Sequence, residues 1–234
     1  TVLEDLTGRE IKKSSGFEIV LAGIGMGKKS GLTKDVQKAI EDADVLIGAE
    51  RMISAYEAKI DKKAYYKAEQ IIPYLEKLQR TVEGKRCKKI VILFSGDSGF
   101  YSGCQSIYKA LQKETEDGRL RATVSVLPGI SSVAYLAACI GESYQDAAIF
   151  SMHGKRLTNL SGKIKRETKS FILMSGVTDV QRLGSILSDA GLGGCTVIAG
   201  YQLSYPEQCI RRLTAKECTE LTEDGLYICC VLNP

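Results

Sequence analysis

The sequence predicts an α/β protein built around parallel β-strands. Two observations support this class. Short, almost continuously apolar runs such as residues 18–22 and 89–94 are typical of strands buried on both faces of a parallel sheet. Segments with helical spacing separate these runs, and turns rich in glycine and serine follow them. Because ligands bind at the carboxyl ends of such strands, these turns are the first candidates for a functional site.

The first βαβ unit is the clearest element of the sequence. Residues 18–22 predict a strand, and glycines alternate through the turn at Gly23–Gly27 that follows it. The segment Thr33–Ala43 predicts a helix, because its apolar residues recur on one face and Thr33 can cap its first turn. Residues 44–48 then predict the second strand.

Further strands follow along the rest of the chain. Residues 89–94 and 123–127 predict the third and fourth strands, which end at the turns Ser95–Gly99 and Pro128–Ser132. The second half contains one predicted helix at residues 180–190, and its strands are predicted at residues 147–151, 169–174, 196–199 and 226–232.

Two domains are predicted, with residues 141–146 as their junction. The first α/β domain spans residues 17–141 and carries the glycine-rich turns, and the second spans residues 142–234. Residues 1–16 are polar without clear periodicity, and they are predicted to be a leader whose order the sequence leaves open.

Composition excludes several classes of protein. Hydrophobic residues at 44% and charged residues at 26% are typical of a globular chain. The longest apolar runs, such as Tyr227–Leu232, are far shorter than the roughly 20 residues that cross a bilayer. The start of the chain lacks a secretory signal, and a net charge of +4 is too small to require nucleic acid. We therefore expect a cytoplasmic protein that binds neither a membrane nor nucleic acid.

Eight cysteines are present, and no two of them form a C-x-x-C pair. We expect reduced thiols that behave mostly as small buried hydrophobic residues, as for Cys229 and Cys230 in an apolar run. Since the chain has a single histidine, His153, no metal site is expected.

The turn at Gly23–Gly27 fails the two common phosphate-loop patterns. The dinucleotide pattern G-x-G-x-x-G requires glycine where Lys28 or Ser30 stands. The P-loop pattern requires serine or threonine at Lys29 and glycine at Ala22. A tight turn without any ligand therefore stays open as an alternative for this segment.

The second and third turns are more distinctive. Ser95–Tyr101 combines small residues with one carboxylate, Asp97, and two aromatic rings, which suits a ligand that has hydroxyl or amino groups and a flat ring. Pro128–Ser132 places two hydroxyls at a helix start. The alternatives are that Asp97 caps the following helix and that the serines of the third turn are simple N-caps.

Taken together, the three turns resemble those of the tetrapyrrole methylases, whose loops are similar to Gly-Ile-Gly-Pro-Gly, Gly-Asp-Pro and Pro-Gly-x-Ser-Ser. The resemblance runs from Phe17 to the C-terminus. It is strongest to the branch that methylates carbon 5 of precorrin-7 or its cobalt form, and it rests there on residues 48–51, 95–101, 128–132 and 151–155.

The sequence departs from the family pattern at three places. Met26 and Ser98 stand where the family usually has proline, and Tyr201–Leu203 stands where it more often has Glu-Arg-Leu. Losing a proline loosens a loop without removing its backbone donors, so we expect cofactor binding to persist. The third departure leaves the choice of substrate open.

The resemblance implies two α/β domains, the first with a mainly parallel sheet and the second with a mixed sheet, and S-adenosylmethionine held in the cleft between them. S-adenosylhomocysteine would be the product. No catalytic nucleophile is expected, because the protein needs only to align the reactants and exclude water. The resemblance implies cofactor contacts from Met26, Ser95, Gly96, Asp97, Phe100, Ser131, Ser132, Met174 or Ser175, Gln202 and Leu203.

The expected substrate is a carboxylate-rich tetrapyrrole, with or without cobalt. Basic side chains suit its carboxylates, and the candidates are Arg51, His153, Lys155 and Arg156. His153 could instead shuttle a proton or serve only in structural hydrogen bonds. A homodimer is implied by the resemblance. Because the sequence ends at Pro234, we also expect a separate enzyme for methylation and decarboxylation at carbon 15.

Three other readings stay open. The acceptor could be another ring position or another tetrapyrrole. The chain could be a nucleotide-binding regulatory module with a degenerate phosphate loop, although both loop patterns fail. A non-enzymatic interaction domain would leave the three small-residue turns without a purpose.

Overall fold

The computed structural model describes residues 16–56, 60–152 and 158–234, which form two compact units. The first unit comprises the described residues up to Ile24 together with Leu32–Gly129. The second unit comprises Gly25–Gly31 together with Ile130–Pro234. This division precedes the junction that the sequence predicts at residues 141–146.

The first unit is a parallel sheet flanked by helices. Its strands are β1 (Phe17–Gly23), β2 (Val45–Ile47), β3 (Asp61–Lys63), β4 (Lys89–Phe94) and β5 (Ala122–Leu127). Its helices are α1 (Lys34–Glu41), α2 (Glu50–Ile53), α3 (Ala68–Leu78), α4 (Val82–Arg86) and α5 (Cys104–Glu116). The strand order is β3-β2-β4-β1-β5, and all neighbouring strands are parallel.

Both faces of this sheet are buried, as the continuous apolar runs predict. On β1, Ile19 and Leu21 join a core cluster that includes residues of α3 and α5. The intervening Val20 and Ala22 join a second cluster with residues of α1 and α2. A strand covered on both sides needs apolar residues at successive positions, which explains why the run shows no polar alternation.

Two elements of the first unit test the local predictions. Helix α1 begins after its predicted cap: the Val36 N–H donates to the Thr33 hydroxyl at 3.3 Å. Strand β3 was not predicted, because it has only three residues, Asp61–Lys63, all of them charged and at the sheet edge. A short charged edge strand is a common protection against aggregation and carries no apolar signal.

The second unit contains a mixed sheet. Its strands are β6 (Ala148–Ser151), β7 (Lys169–Leu173), β8 (Thr196–Tyr201), β9 (Cys209–Leu213) and β10 (Tyr227–Leu232). Its helices are α6 (Ser132–Ile140), α7 (Leu160–Ile164), α8 (Val177–Asp189) and α9 (Ala215–Glu220). The order is β6-β7-β10-β8-β9, in which only the β6–β7 pair is parallel among these strands.

Helix α6 belongs to the second unit because of its packing. It contacts β7 and β10, and it buries Val133, Leu136 and Ala137. The opposite face of the same sheet is covered by α8 and α9, whose apolar residues Val180, Leu183 and Cys218 lie in one cluster with Cys229 of β10. The sequence places the junction after α6, where that helix ends at Gly141 with a φ of 69°.

The cysteines are all free thiols. Five are buried, including Cys229 and Cys230 of β10, and Cys139 is exposed on α6. Burial raises the pKa of Cys230 to about 12. Within the part of the chain that the structure describes, every helix is too short or too polar to span a bilayer.

Candidate functional site

Three glycine-containing turns meet at the carboxyl edge of the first sheet. They follow β1, β4 and β5, and their backbones interlock at Gly23, Gly96 and Gly129. A Cβ placed on Gly129 would lie 2.3 Å from the Gly96 oxygen and 2.5 Å from the Gly23 oxygen. No side chain fits at such distances, so these glycines serve the close approach of one loop to another.

Asp97 joins two of these turns. One carboxylate oxygen accepts the Gly99 N–H at 2.7 Å, and the other accepts the Gly129 N–H at 3.2 Å. The buried Ser98 hydroxyl adds a parallel link by donating to the Leu127 oxygen at 3.0 Å. Asp97 does not cap α5, whose N-cap is Gly103. Each carboxylate oxygen keeps a further lone pair for a ligand donor.

The other predicted residues of this turn surround Asp97. Ser95 is exposed, Gly96 adopts a φ of 71° and Phe100 is half-buried. The Phe100 ring meets the ring of Tyr101 edge-on, with centroids 4.9 Å apart. Tyr101 is 61% exposed and has a φ of 48°, a conformation that costs energy outside glycine and clusters at functional sites.

The Cys104 thiol lies near this turn at the start of α5. Burial, followed by the negative charge of Asp97, raises the pKa of Cys104 to about 11. The thiol is therefore neutral near pH 7, and neutral thiols are poor nucleophiles. Covalent catalysis by this cysteine is therefore disfavoured near pH 7.

Arg51 is at the same edge of the first sheet. Strand β2 pairs with β4, and α2 begins at Glu50, directly after the turn that ends β2. The Arg51 side chain is exposed. A guanidinium at this edge is available for the carboxylates of a ligand.

Several predicted site residues lie at one edge of the second sheet. Strands β6, β7 and β8 run in the same direction, so their carboxyl ends lie together. Met174, just beyond β7, is 2% exposed and packs in the core. Ser175 is exposed, and its N–H donates to Asp179 at 2.8 Å. Of this alternative pair, only Ser175 presents its side chain to solvent.

Gln202 and Leu203 follow β8 at the same edge. Gln202 adopts a φ of 45°, and its N–H donates to the Leu226 oxygen at 2.9 Å. Leu203 is buried. The next residue, Ser204, has a φ of 70° and a buried hydroxyl without a hydrogen-bond partner among the described residues. A buried hydroxyl of this kind is suited to a ligand or a water molecule.

Met26 lies in the loop Gly25–Gly31, which is part of the second unit. Gly25 approaches Ile130, so this loop and the start of α6 are neighbours. The Ser131 hydroxyl accepts the Ala134 N–H at 3.1 Å and thereby caps α6, as the simpler interpretation predicts. Met26 and Ser132 are half-buried. The predicted residues His153, Lys155 and Arg156 lie outside the described residues.

Four residues of this region, Tyr135, Ser204, Tyr205 and Gln208, were not predicted as site residues. The Gln208 side-chain oxygen accepts hydrogen bonds from the Tyr135 hydroxyl at 3.1 Å and the Ser204 N–H at 2.6 Å. Tyr205 lies against Gly27. Tyr135 and Gln208 are 73 residues apart, and no local spacing signals such a pair.

The chain combines a parallel α/β unit with a mixed α/β unit, and each has small-residue loops at the carboxyl edge of its sheet. Solved methyltransferase structures share this fold. The chain belongs to the Tetrapyrrole (Corrin/Porphyrin) Methylases, whose family profile matches residues 18–219. It is therefore a methyltransferase that uses S-adenosylmethionine as the methyl donor.

Relatives with curated names agree with this family. The chain is 30% identical over 166 residues to the probable cobalt-precorrin-7 C(5)-methyltransferase of Methanocaldococcus jannaschii, covering 69% of this chain and 73% of the relative. It is 24% identical to the cobalt-precorrin-4 C(11)-methyltransferase of the same organism, covering 87% and 81%. It is also 24% identical to the decarboxylating precorrin-6Y C(5,15)-methyltransferase of Sinorhizobium sp, covering 75% of this chain but only 40% of that protein.

Solved structures share the fold. A cobalt precorrin-4 methyltransferase superposes with a TM-score of 0.73 at 19% identity, covering 94% of this chain and 97% of the other. The uroporphyrin-III C-methyltransferase of Thermus thermophilus, complexed with S-adenosylhomocysteine, gives a TM-score of 0.67 at 18% identity, covering 92% and 96%. The fold prediction of a parallel first sheet and a mixed second sheet is confirmed.

Proposed function

We propose that this protein transfers the methyl group of S-adenosylmethionine to carbon 5 of cobalt-precorrin-7, or of its cobalt-free form, during cobalamin biosynthesis. The observation that carries the proposal is the 30% identity to a probable cobalt-precorrin-7 C(5)-methyltransferase over 73% of its length. The motifs at residues 48–51 and 95–101 support it, since they resemble the same branch of the family.

In the first unit, we propose that Ser95, Gly96, Asp97 and Phe100 contact the cofactor. S-adenosylmethionine presents ribose hydroxyls, an ammonium group and a flat adenine ring. The free lone pairs of Asp97 suit the hydroxyls or the ammonium, and the half-buried Phe100 ring suits the adenine. The residues present therefore fit the donor.

In the second unit, the proposed cofactor contacts are carried by loops at the carboxyl edge of its sheet and at the start of α6. The Ser204 hydroxyl beside Leu203 is buried and has no hydrogen-bond partner among the described residues, which supports a polar ligand there. Since the Met174 side chain is in the core, Ser175 is the proposed contact of that pair, and Met174 would contribute only its backbone. The proposed residues are Met26, Ser131, Ser132, Ser175, Gln202 and Leu203.

When bound, the cofactor supplies an electrophilic methyl group, so the protein needs no covalent intermediate. Its residues bind and orient the two reactants and exclude water. The neutral Cys104 thiol agrees with this role of the chain. We propose that Arg51 holds a substrate carboxylate, because an exposed guanidinium can pair with it in a bidentate manner. The proposed roles of His153, Lys155 and Arg156 concern residues outside the described ranges.

The partners of the protein stay predictions. We propose that methylation and decarboxylation at carbon 15 belong to a separate enzyme. The relative from Methanocaldococcus jannaschii is named for carbon 5 alone, whereas the Sinorhizobium sp protein is named for both positions and is much longer than the matched region. A homodimer and a cytoplasmic location are further predictions.

A second candidate acceptor is another ring position. It is favoured by the match to a cobalt-precorrin-4 C(11)-methyltransferase, which covers 81% of that relative. Comparing methyl transfer to cobalt-precorrin-7 with methyl transfer to cobalt-precorrin-4, under anaerobic conditions, separates the two candidates. Turnover of cobalt-precorrin-4 alone would replace the carbon 5 proposal with the carbon 11 one.

The first experiment is a calorimetric titration with S-adenosylhomocysteine, run beside adenosine triphosphate and a reduced nicotinamide dinucleotide. We expect saturable binding of S-adenosylhomocysteine alone. Preference for one of the other two nucleotides would contradict the proposal and favour a nucleotide-binding regulatory module.

A further inference from the structure

The loop that joins β8 to β9 is held in one conformation by several hydrogen bonds. We call residues 202–208 the Tyr205 loop. The Tyr205 N–H donates to the Gln202 oxygen at 3.0 Å, and the Gln208 N–H donates to the Tyr205 oxygen at 3.0 Å. The Gln208 side chain accepts from the Ser204 N–H and from Tyr135 of α6. The backbone of Tyr205 is therefore held by hydrogen bonds on both sides of it.

The Tyr205 hydroxyl lies against the loop Gly25–Gly31 of the same unit. A Cβ placed on Gly27 would be 2.7 Å from this hydroxyl oxygen, so the Tyr205 side chain would have to shift to admit it, and 3.5 Å from the ring Cζ, which is an ordinary contact. Gly27 also has a φ of 99°, a region that favours glycine. The tyrosine hydroxyl therefore lies close to the glycine loop at Gly27.

Gly25, in the same loop, provides a contrast. It also has a positive φ, 60°, but a Cβ placed on it would meet its nearest atom, the Ile130 oxygen, at 3.6 Å. Substituting either glycine strains the backbone. Only at Gly27 does a new Cβ also collide with Tyr205.

We propose that Tyr205 is a positioning residue that sets the conformation of the first glycine loop, Gly25–Gly31, in the methyl-transfer site. This inference rests on the proposed function, in which Met26 of that loop contacts the cofactor. The physical reason is that the hydrogen-bonded Tyr205 loop holds a hydroxyl beside a loop that contains three glycines, Gly25, Gly27 and Gly31. Glycine residues lose the most conformational freedom when a loop becomes ordered. A contact that already orders part of the loop reduces the entropy cost that ligand binding must still overcome.

The test is a pair of double-mutant cycles, Gly27→Ala with Tyr205→Phe and Gly25→Ala with Tyr205→Phe. S-adenosylhomocysteine affinity is measured by calorimetry, and thermal unfolding is measured without ligand. We expect Gly27→Ala to weaken binding by about tenfold or more, from backbone strain and the collision together. Tyr205→Phe alone removes the hydroxyl while keeping the ring, and it should weaken binding by roughly threefold, because less of the loop is ordered before the ligand binds.

The cycles separate positioning from general stability. Adding Tyr205→Phe to Gly27→Ala removes the colliding oxygen and should restore roughly threefold in affinity, although the same change weakens the wild-type protein. Adding it to Gly25→Ala should give no rescue. Equal effects on the two glycine variants would overturn the inference. Rescue of the unfolding temperature without rescue of affinity would also overturn it, since Tyr205 would then only stabilise the fold.

The proposed function fails in a different way. If the wild-type protein binds no S-adenosylhomocysteine, the cofactor assignment is wrong whatever the variants do. If the wild-type protein binds it and the two cycles show the same coupling, the positioning role of Tyr205 is wrong and the proposed function stands.

Discussion

Replacing Asp97 with asparagine tests whether one carboxylate both joins two loops and serves the cofactor. The carboxylate accepts the Gly99 N–H at 2.7 Å and the Gly129 N–H at 3.2 Å. Asparagine has the same shape but offers a single acceptor oxygen, so one of the two N–H groups faces an amide donor instead.

The expected loss follows from the bond that is removed. A hydrogen bond to a charged group contributes about 1.5–3 kcal/mol. Asp97→Asn should therefore lower the free energy of unfolding by about that amount, and the melting temperature by roughly 3–12 °C for a chain of this size. Because the carboxylate also offers its remaining lone pairs to the ligand, S-adenosylhomocysteine affinity should fall by at least about tenfold.

Asp44 provides a contrasting control within the same unit. One oxygen of its carboxylate accepts the N–H groups of both Lys88 and Lys89, at 2.7 and 2.9 Å, at the opposite edge of the same sheet. Because the asparagine oxygen can keep both bonds, Asp44→Asn should lower the melting temperature less than Asp97→Asn does and leave S-adenosylhomocysteine affinity unchanged. The reasoning would be refuted if Asp97→Asn melted like the wild-type protein, or if both variants bound the ligand equally well.

Three further predictions concern the substrate, the glycines and pH. Arg51→Ala should raise the KM for the tetrapyrrole by about tenfold or more, with little change in S-adenosylhomocysteine affinity. The control is Arg86→Ala, which should leave steady-state kinetics unchanged because Arg86 lies in a groove at the start of β2 and β3. Gly129→Ala should prevent folding or abolish ligand binding, since its Cβ would lie 2.3 Å from a carbonyl oxygen; soluble protein with wild-type binding would contradict the interlocked loops. Burial raises the pKa of Cys218 to about 11 and that of Cys230 to about 12, from an ordinary 9.0. Between pH 9 and the raised pKa values, these thiols ionise mainly in the unfolded chain, so the melting temperature should fall as the pH rises from 9 to 12. Cys230→Ala should make that fall smaller. The same pH profile in the wild-type protein and the variant would contradict the prediction.

The sequence predicts the parallel sheet well, because burial on both faces requires the continuous apolar runs that are visible at residues 18–22 and 89–94. Strand β9 was not predicted, because it is mostly half-buried at the sheet edge and has two arginines, Arg211 and Arg212, among its five residues. Its pairing with β8 depends on the loop between the two strands, and no local sequence motif predicts the geometry of that loop.

Residues of the candidate site could be predicted where the relevant side chains lie together in one loop. They could not be predicted where the contact joins residues far apart in the sequence. The small residues around Asp97 are legible in one segment, but the partner of its carboxylate, Gly129, is 32 residues away. For the alternative pair Met174 or Ser175, burial separates the two side chains, because that of Met174 lies in the core and that of Ser175 is exposed, and the sequence shows no such difference. Tyr205 gives no sequence signal because its role depends on a contact with Gly27 made by tertiary folding.

The most direct test of the account is to locate the transferred methyl group. The protein is incubated anaerobically with cobalt-precorrin-7 and S-adenosylmethionine that carries carbon-13 in its methyl group, and the product is examined by NMR. The account predicts a single labelled methyl group on carbon 5. A label at another ring position, or no transfer from a protein that binds S-adenosylhomocysteine, would contradict it.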